Sequence, residues 1–191
     1  MSAFDVIIVG AGSAGCLLAN RLSADPGRHV CLIEAGPPDR NPMIHMPFGL
    51  AALAHMRWLN WGCTTDPEPR LNDRRLFWPR GRVLGGSSSI NAMIYMRGHP
   101  QDYRDWAAAA GPDWDWPKVR QVFKDLEANQ SFADDQHGTT GPLTVSDLPQ
   151  PNPLSRAFVQ AGAGIVHPHN PDFNGSTLEG IGLFQVTQAR G

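Results

Sequence analysis

The chain has 191 residues, which is enough to bury a hydrophobic core in one ordinary domain with room for the beginning of a second. Its 20 glycines and 17 prolines indicate long ordered connections between elements. The formal net charge is -2, and acidic and basic residues are interspersed, so the sequence has no basic patch suited to nucleic acid or an anionic membrane. We therefore expect no nucleic-acid partner.

The cysteines and the N-terminal residues indicate a cytoplasmic protein. Cys16, Cys31 and Cys63 are odd in number and lack C-x-x-C spacing, so we predict neither a disulfide framework nor a zinc site. The first residues show no secretory signal pattern. No apolar run approaches the roughly 18 residues that a membrane-spanning helix needs, so we expect no integral membrane segment.

The chain begins with a predicted strand, helix and strand. The apolar, β-branched run at residues 4–9 is typical of a strand buried on both faces of a parallel sheet. A helix follows from Cys16 and ends near Asp25, and residues 30–34 form the second predicted strand. This βαβ unit predicts an α/β fold of the Rossmann-like kind.

The turn between the first strand and the helix contains Gly10-x-Gly12-x-x-Gly15, which is the dinucleotide-binding fingerprint in its proper context. In this fingerprint the glycines allow a tight turn, close approach of a pyrophosphate, and close packing of helix on strand. Glu34 ends the second strand and is placed to accept hydrogen bonds from adenosine ribose hydroxyls. The motif does not separate FAD from NAD, and the same glycines without a ligand make an ordinary turn.

Residues 36–80 are rich in proline and show no periodicity, which predicts a long ordered excursion. We expect Trp58, Trp61 and Trp78 to anchor its packing. Further elements are predicted as helices at 101–110, 117–129 and 154–163 and strands at 142–146 and 182–187. The polar residues 131–141 are a predicted surface loop or linker, where a domain boundary is expected.

A second glycine-rich stretch at residues 80–93 contains a glycine pair, three serine hydroxyls and the amide of Asn91. These groups suit a second contact between backbone and cofactor, and they equally suit a surface turn. Together with the first motif, the stretch belongs to a set of segments that resembles the N-terminal part of the glucose-methanol-choline (GMC) oxidoreductases, most of all bacterial choline and alcohol dehydrogenases. These segments are residues 5–15, 32–36, 60–69, 79–98 and 171–175.

The resemblance covers nearly the whole chain, and it implies a division of the molecule. Residues 1–130 would form the N-terminal part of an incomplete Rossmann-like FAD-binding domain, and residues 131–191 the beginning of an α+β substrate-binding domain. The implied cofactor is FAD. Its contacts would be Gly10, Gly12, Gly15 and Glu34 at the ADP moiety, and Val83, Gly86, Asn91, Ala92 and Met93 at the flavin and its diphosphate.

Some members of the family tether the flavin through a histidine just before the asparagine of the second motif. Ile90 stands at that position here and offers no nucleophile, so we predict non-covalent FAD. His167-x-His169 supplies only two ligands in a proline-rich segment, which falls short of a metal site, and we predict no metal.

The resemblance also implies a reaction, namely oxidation of the CH–OH group of an alcohol or choline-like small molecule, with hydride transfer to the flavin and an electron acceptor that the sequence does not identify. The histidine base of the family comes from a C-terminal region outside these residues, so no catalytic residue is assigned. We expect the 191-residue chain to be a fragment or truncated product that is inactive alone. Two alternatives remain, a non-catalytic FAD-binding fragment and an NAD-binding module.

Overall fold

The computed structural model describes residues 3–165 and 167–189. The chain divides into two compact units, Met1–Ala92 and Met93–Gly191. This division precedes the boundary at 130/131 expected from the sequence, and the assignment of cofactor and substrate binding to residues 1–130 and 131–191 stays a prediction. Within the described ranges, no helix has both the length and the apolar character needed to cross a membrane.

The first unit contains the predicted βαβ arrangement. Strand β1 is Val6–Val9, helix α1 is Ser13–Leu22 and strand β2 is Val30–Ile33. The two strands are parallel, with Val6 opposite Val30 and Val9 opposite Ile33. These three elements confirm what the apolar runs and the glycine turn predict.

The expectation that the first strand is buried on both faces is wrong in the part of the chain that the structure describes. Ile8 is 8% exposed, whereas Ile7 and Val9 are 59% and 82% exposed. The reason is that α1 packs on the side of the strand where Ile8 lies, in a sheet that has two strands. An apolar run therefore predicted the strand correctly and its burial incorrectly.

Residues 36–90 form an ordered excursion built of short elements. Helix α2 is Leu50–Leu53, and the 3-10 helices are Pro42–Ile44, Pro47–Gly49, Pro69–Leu71 and Gly86–Ser89. The core of this region consists of aliphatic side chains from Leu53, Leu59, Val83 and Ile90. The predicted anchors Trp58, Trp61 and Trp78 are 51%, 55% and 47% exposed, so that prediction is wrong.

The second unit contains the longer helices. Helix α3 is Pro100–Ala110, helix α4 is Trp116–Leu126 and helix α5 is Pro153–Ile165. Strand β3 is Ile94–Tyr95, β4 is Glu127–Asn129, β5 is Leu143–Val145 and β6 is Gln185–Val186. Strand β3 pairs with β6 antiparallel, and β4 pairs with β5 parallel. All three helices are where the sequence predicts them, but α4 ends at Leu126 because the next residues pair as β4.

Residues 131–141 are closely attached to strand β4. The N–H of Asn129 donates to the carbonyl oxygen of Gly138 at 2.8 Å, and the N–H of Gly141 donates to that of Glu127, also at 2.8 Å. His137, in the middle of this loop, is 3% exposed. The segment is therefore an integral part of the second unit, and it does not behave as a linker.

Candidate functional site

The first glycine motif forms a tight turn from β1 into α1. Gly10 has a φ of +94°, in the left-handed region that favours glycine. Gly15 lies so close to this turn that an added Cβ would overlap the carbonyl oxygen of Gly10. Gly12 is the N-cap of α1, and an added Cβ there would meet nothing within 4 Å, so its backbone borders open space. The turn, the close packing and the accessible backbone of the fingerprint are all present.

The carboxylate of Glu34 is held in place directly after β2. Its Oε2 accepts the N–H of Ala11 at 2.8 Å, and its Oε1 accepts the N–H of Gly36 at 2.9 Å. A carboxylate has about four acceptor positions, so two backbone donors leave it able to accept further hydrogen bonds. Glu34 is therefore a fixed acceptor of the kind that ribose hydroxyls require.

The two glycine motifs meet in the first unit. The N–H of Gly85 donates to the carbonyl oxygen of Ala11 at 2.7 Å. Gly86 has a φ of +58°, and an added Cβ would lie 2.8 Å from the Cα of Gly12. Two segments that are far apart in sequence thus form one backbone surface.

This surface forms one wall of a cleft with a volume of about 810 Å³, which lies in the range of about 300–1,000 Å³ for ligand sites. The predicted residues on its wall are Gly10, Gly12, Glu34 and Gly86. The wall also includes residues that were not assigned from the sequence, among them Trp61, Cys63, Arg80 and Ser87. The only sequence signal for these is their position just before or inside the second glycine motif, or in the proline-rich excursion.

The other predicted cofactor contacts lie elsewhere. Gly15 packs behind the turn, and Val83 is 0% exposed in the core. Asn91 and Ala92 are exposed at the end of the first unit, whereas Met93 belongs to the second unit and has a φ of 59°. The assignment of these five residues to the cofactor stays a prediction.

The charges on the cleft wall suit a dinucleotide. Among the described residues that line it, Glu34 is the acid and Arg80 is the base. The Arg80 guanidinium carbon lies 5.4 Å from the centroid of the Trp78 ring, and its Nη1 donates to the carbonyl oxygen of Pro79 at 2.8 Å. The N-terminus of α1 adds unpaired backbone N–H groups and partial positive charge. A ligand with ribose hydroxyls and a diphosphate would find an acceptor and positive groups in one cleft.

A group of buried charged side chains occupies the second unit. Arg97 Nη2 donates to Glu127 Oε2 at 2.6 Å, and the two ring nitrogens of His137 lie 3.1 Å from Glu127 Oε1 and 2.9 Å from Asp172 Oδ2. Burial lowers the pKa of His137, but the hydrogen bonds to Glu127 and Asp172 outweigh it, so the pKa is raised overall. Asp134 also lies near His137 and Asp172, with the side-chain nitrogen and oxygen atoms of the three residues within 4.8 Å of one another. Both ring nitrogens are already paired with carboxylates, and the absence of a metal site stays a prediction.

The comparison with protein families matches residues 4–191 to the GMC oxidoreductases. The chain belongs to the GMC oxidoreductase family. Among its relatives, it is 58% identical over 189 residues to the alcohol dehydrogenase (acceptor) of Pseudomonas putida. It is 46% identical over 187 residues to the oxygen-dependent choline dehydrogenase of Sinorhizobium fredii. Each alignment covers 98% of this GMC chain and 34% of the relative.

Solved structures of similar proteins agree with this assignment. The pyridoxine 4-oxidase of Mesorbium loti matches with a TM-score of 0.92 at 38% identity, over 98% of this chain and 37% of that one. An FAD-dependent oxidoreductase of Chaetomium thermophilum matches with a TM-score of 0.83 at 28% identity, over 97% and 33%. The Rossmann-like FAD-binding fold predicted from the sequence is confirmed, and this GMC chain spans about a third of the length of these relatives.

Proposed function

We propose that this chain supplies the N-terminal, FAD-binding part of an enzyme that oxidises the CH–OH group of a small alcohol or choline-like molecule. The observation that carries the cofactor assignment is the contact of the two glycine motifs, Gly85 N–H to the Ala11 carbonyl oxygen, on the wall of one cleft. The names of the relatives, alcohol dehydrogenase and choline dehydrogenase, support the substrate class.

The residues of the cleft fit a flavin dinucleotide. Glu34 would accept hydrogen bonds from the adenosine ribose, and the backbone at Gly12 borders open space into which a diphosphate can approach. The N–H groups of the first turn of α1 would donate to the phosphate oxygens, and Arg80 would offset their charge. When bound, FAD supplies the acceptor for the hydride that leaves the alcohol carbon.

Ile90 supports a dissociable cofactor, since an aliphatic side chain cannot form a bond to the flavin. Ile90 is also 6% exposed and belongs to the core of the excursion. We expect acid precipitation of the FAD-loaded chain to leave the yellow flavin in the supernatant. A yellow pellet would contradict non-covalent binding.

Titration of the apo chain with FAD, FMN, NAD and NADP, followed by flavin or protein fluorescence, tests the proposal. We expect FAD to bind most tightly. Glu34→Gln removes the charge and replaces one acceptor oxygen by an NH2 group, which would face the N–H of Ala11 or Gly36. Hydrogen bonds to a charged group contribute about 1.5–3 kcal/mol, so FAD affinity should fall by about 10- to 100-fold. Glu68→Gln, at an exposed residue outside the cleft wall, is the matched control and should bind FAD like the wild type.

Two results would overturn the proposal. Failure of the folded wild-type chain to bind FAD would remove the flavoprotein assignment. Binding of NAD as tight as that of FAD would favour an NAD-binding module. In such a module only the first glycine motif would contact the ligand, and the second would have no role.

A further inference from the structure

The second unit contains a pocket of its own beside helix α5. Its volume is about 430 Å³, which lies in the range of about 300–1,000 Å³ for small-molecule sites. This pocket, called the α5 pocket below, has an apolar part and a charged part. The apolar part includes Phe132, Val159 and Phe184, and the charged part includes Asp147 and Arg156. The cleft at the glycine motifs is lined by other residues, so the two sites are distinct.

The apolar part combines one buried side chain with two aromatic rings that stay partly open. Val159 is 9% exposed and Phe184 is 40% exposed, and Phe132 is half-buried. The ring of Phe184 packs on that of Phe173 with centroids 5.1 Å apart, and the ring of Phe132 packs on that of His137 at 5.2 Å. These contacts hold both rings in place and leave apolar area for the body of a ligand.

The negative charge of the pocket is fixed by a buried hydrogen-bond network. Asp147 Oδ1 accepts Gln185 Nε2 at 2.8 Å, and its Oδ2 accepts the hydroxyl of Ser131 at 2.8 Å. Gln185 is 4% exposed, and its Oε1 in turn accepts Asn129 Nδ2 at 2.9 Å. A carboxylate has about four acceptor positions, so Asp147 is a fixed anion that can accept further hydrogen bonds.

The positive charge of the pocket has no such partner. Arg156 is exposed, and in the part of the chain that the structure describes its guanidinium forms no hydrogen bond or ion pair, with Asp147 or with any other residue. It is the fourth residue of α5, near the end of the helix where partial positive charge makes a cation unfavourable. Neither an ion pair nor helix stability explains this arginine, whereas a ligand carboxylate would.

We propose that the α5 pocket binds a small zwitterion, a molecule with an ammonium group, a carboxylate and an apolar body. Asp147 would accept the ammonium group, with the rings of Phe132 and Phe184 as further favourable surfaces for a cation. Arg156 would bind the carboxylate through its planar fork of donors. A simple anion would meet Asp147 and a simple cation would meet Arg156, so a ligand with both charges fits best.

Isothermal titration of the whole chain with four matched ligands tests the charge requirement. L-Leucine has all three features, isoamylamine is leucine without the carboxylate, and isocaproate is leucine without the ammonium group. We expect leucine to bind, and each analogue with a single charge to bind about 10-fold more weakly or worse. Glycine betaine, the fourth ligand, distinguishes free amino acids from quaternary betaines as the source of the zwitterion.

Substitutions in the charged part should change the ligand preference in opposite directions. Arg156→Gln should reduce leucine affinity to about that of isoamylamine and leave isoamylamine itself no weaker, and Arg156→Lys should restore part of the loss. Asp147→Asn should reduce leucine affinity and leave isocaproate no weaker. Arg104→Gln, at an exposed arginine of α3 outside the pocket, is the matched control and should bind all four ligands like the wild type. A general effect on folding would not depend on the charge of the ligand.

The outcomes are separate from those of the FAD titration. Leucine binding that is unchanged by saturating FAD supports a second site, whereas competition between leucine and FAD would place the zwitterion in the cleft and overturn the inference. It would also be overturned if neither leucine nor glycine betaine binds, if a singly charged analogue binds as tightly as leucine, or if Arg156→Gln binds leucine like the wild type. Binding of leucine alone supports an amino acid that donates N–H groups to Asp147, and binding of glycine betaine supports a quaternary zwitterion.

Discussion

At the scale of single residues, Gly86 combines two constraints that no other amino acid satisfies together. Its φ of +58° disfavours a side chain, and an added Cβ would lie 2.8 Å from the backbone of Gly12. A shift of Gly12 would move the backbone that borders the cleft. A side chain at Gly86 is therefore expected to displace the backbone of Gly12 and to weaken the ligand binding proposed there.

Gly86→Ala should reduce FAD affinity by about 10-fold or more and lower the free energy of unfolding by about 1–2 kcal/mol. Fluorescence titration and urea denaturation measure the two quantities. Gly111→Ala is the control, because Gly111 also has a positive φ, of +111°, but an added Cβ there meets nothing within 4 Å. It should lose stability and keep its FAD affinity. Unchanged FAD affinity in Gly86→Ala would show that close contact of the two motifs is not needed for binding.

At the scale of elements, the local sequence pattern predicts those helices and strands whose formation depends mainly on their own residues. The apolar runs of β1 and β2 and the glycine turn between β1 and α1 predicted the βαβ unit and the turn that opens the cleft. In residues 36–90 no periodicity shows which side chains face inward. Leu59 is buried because it packs in one cluster with Leu53, Val83 and Ile90, and the last two are distant from it in sequence, whereas Trp61, two residues on, is 55% exposed.

The aliphatic core of the excursion should contribute strongly to the stability of the first unit. Leu59 is 0% exposed, so Leu59→Ala removes buried methyl groups and leaves a cavity. We expect the free energy of unfolding to fall by about 2–5 kcal/mol, measured by urea denaturation. Leu71→Ala, at a position that is 42% exposed, is the control and should change stability by less than about 0.5 kcal/mol. Equal effects of the two substitutions would contradict a core at Leu59.

At the scale of the whole molecule, buried charged side chains of the second unit join segments that are not adjacent in the sequence. Arg97 follows β3, Glu127 begins β4, His137 lies in the loop after it, and Asp172 lies near the C-terminal end. Asn129 completes the group by donating to Glu127 Oε1 and Gln185 Oε1, at 2.9 Å each. These residues come from separate segments and form no sequence motif, so their association could not be predicted from the sequence.

This cluster predicts that stability depends on pH through His137. The pKa of His137 is raised in the folded chain, because its bonds to Glu127 and Asp172 outweigh its burial, so the protonated form stabilises the fold. The contribution is fully present below the pKa of an unfolded histidine, about 6.5, and is lost as the pH rises through the folded pKa. Burial raises the pKa of Glu127, but its hydrogen bonds and Arg97 lower it overall, so its contribution is lost only as the pH falls through that lowered value.

Urea denaturation from pH 5 to 9 should therefore show a plateau on the acid side of about 6.5 and a decline above it. His137→Gln removes the titrating group, and its profile should be lower on the plateau and flatter across the decline. His167→Gln changes an exposed histidine and should follow the wild-type profile. A wild-type profile without a decline, or a decline that persists in His137→Gln, would show that the two carboxylates do not hold His137 in its charged form. The buried position of His137 between those carboxylates, at 3% exposure, is the reason to expect the decline.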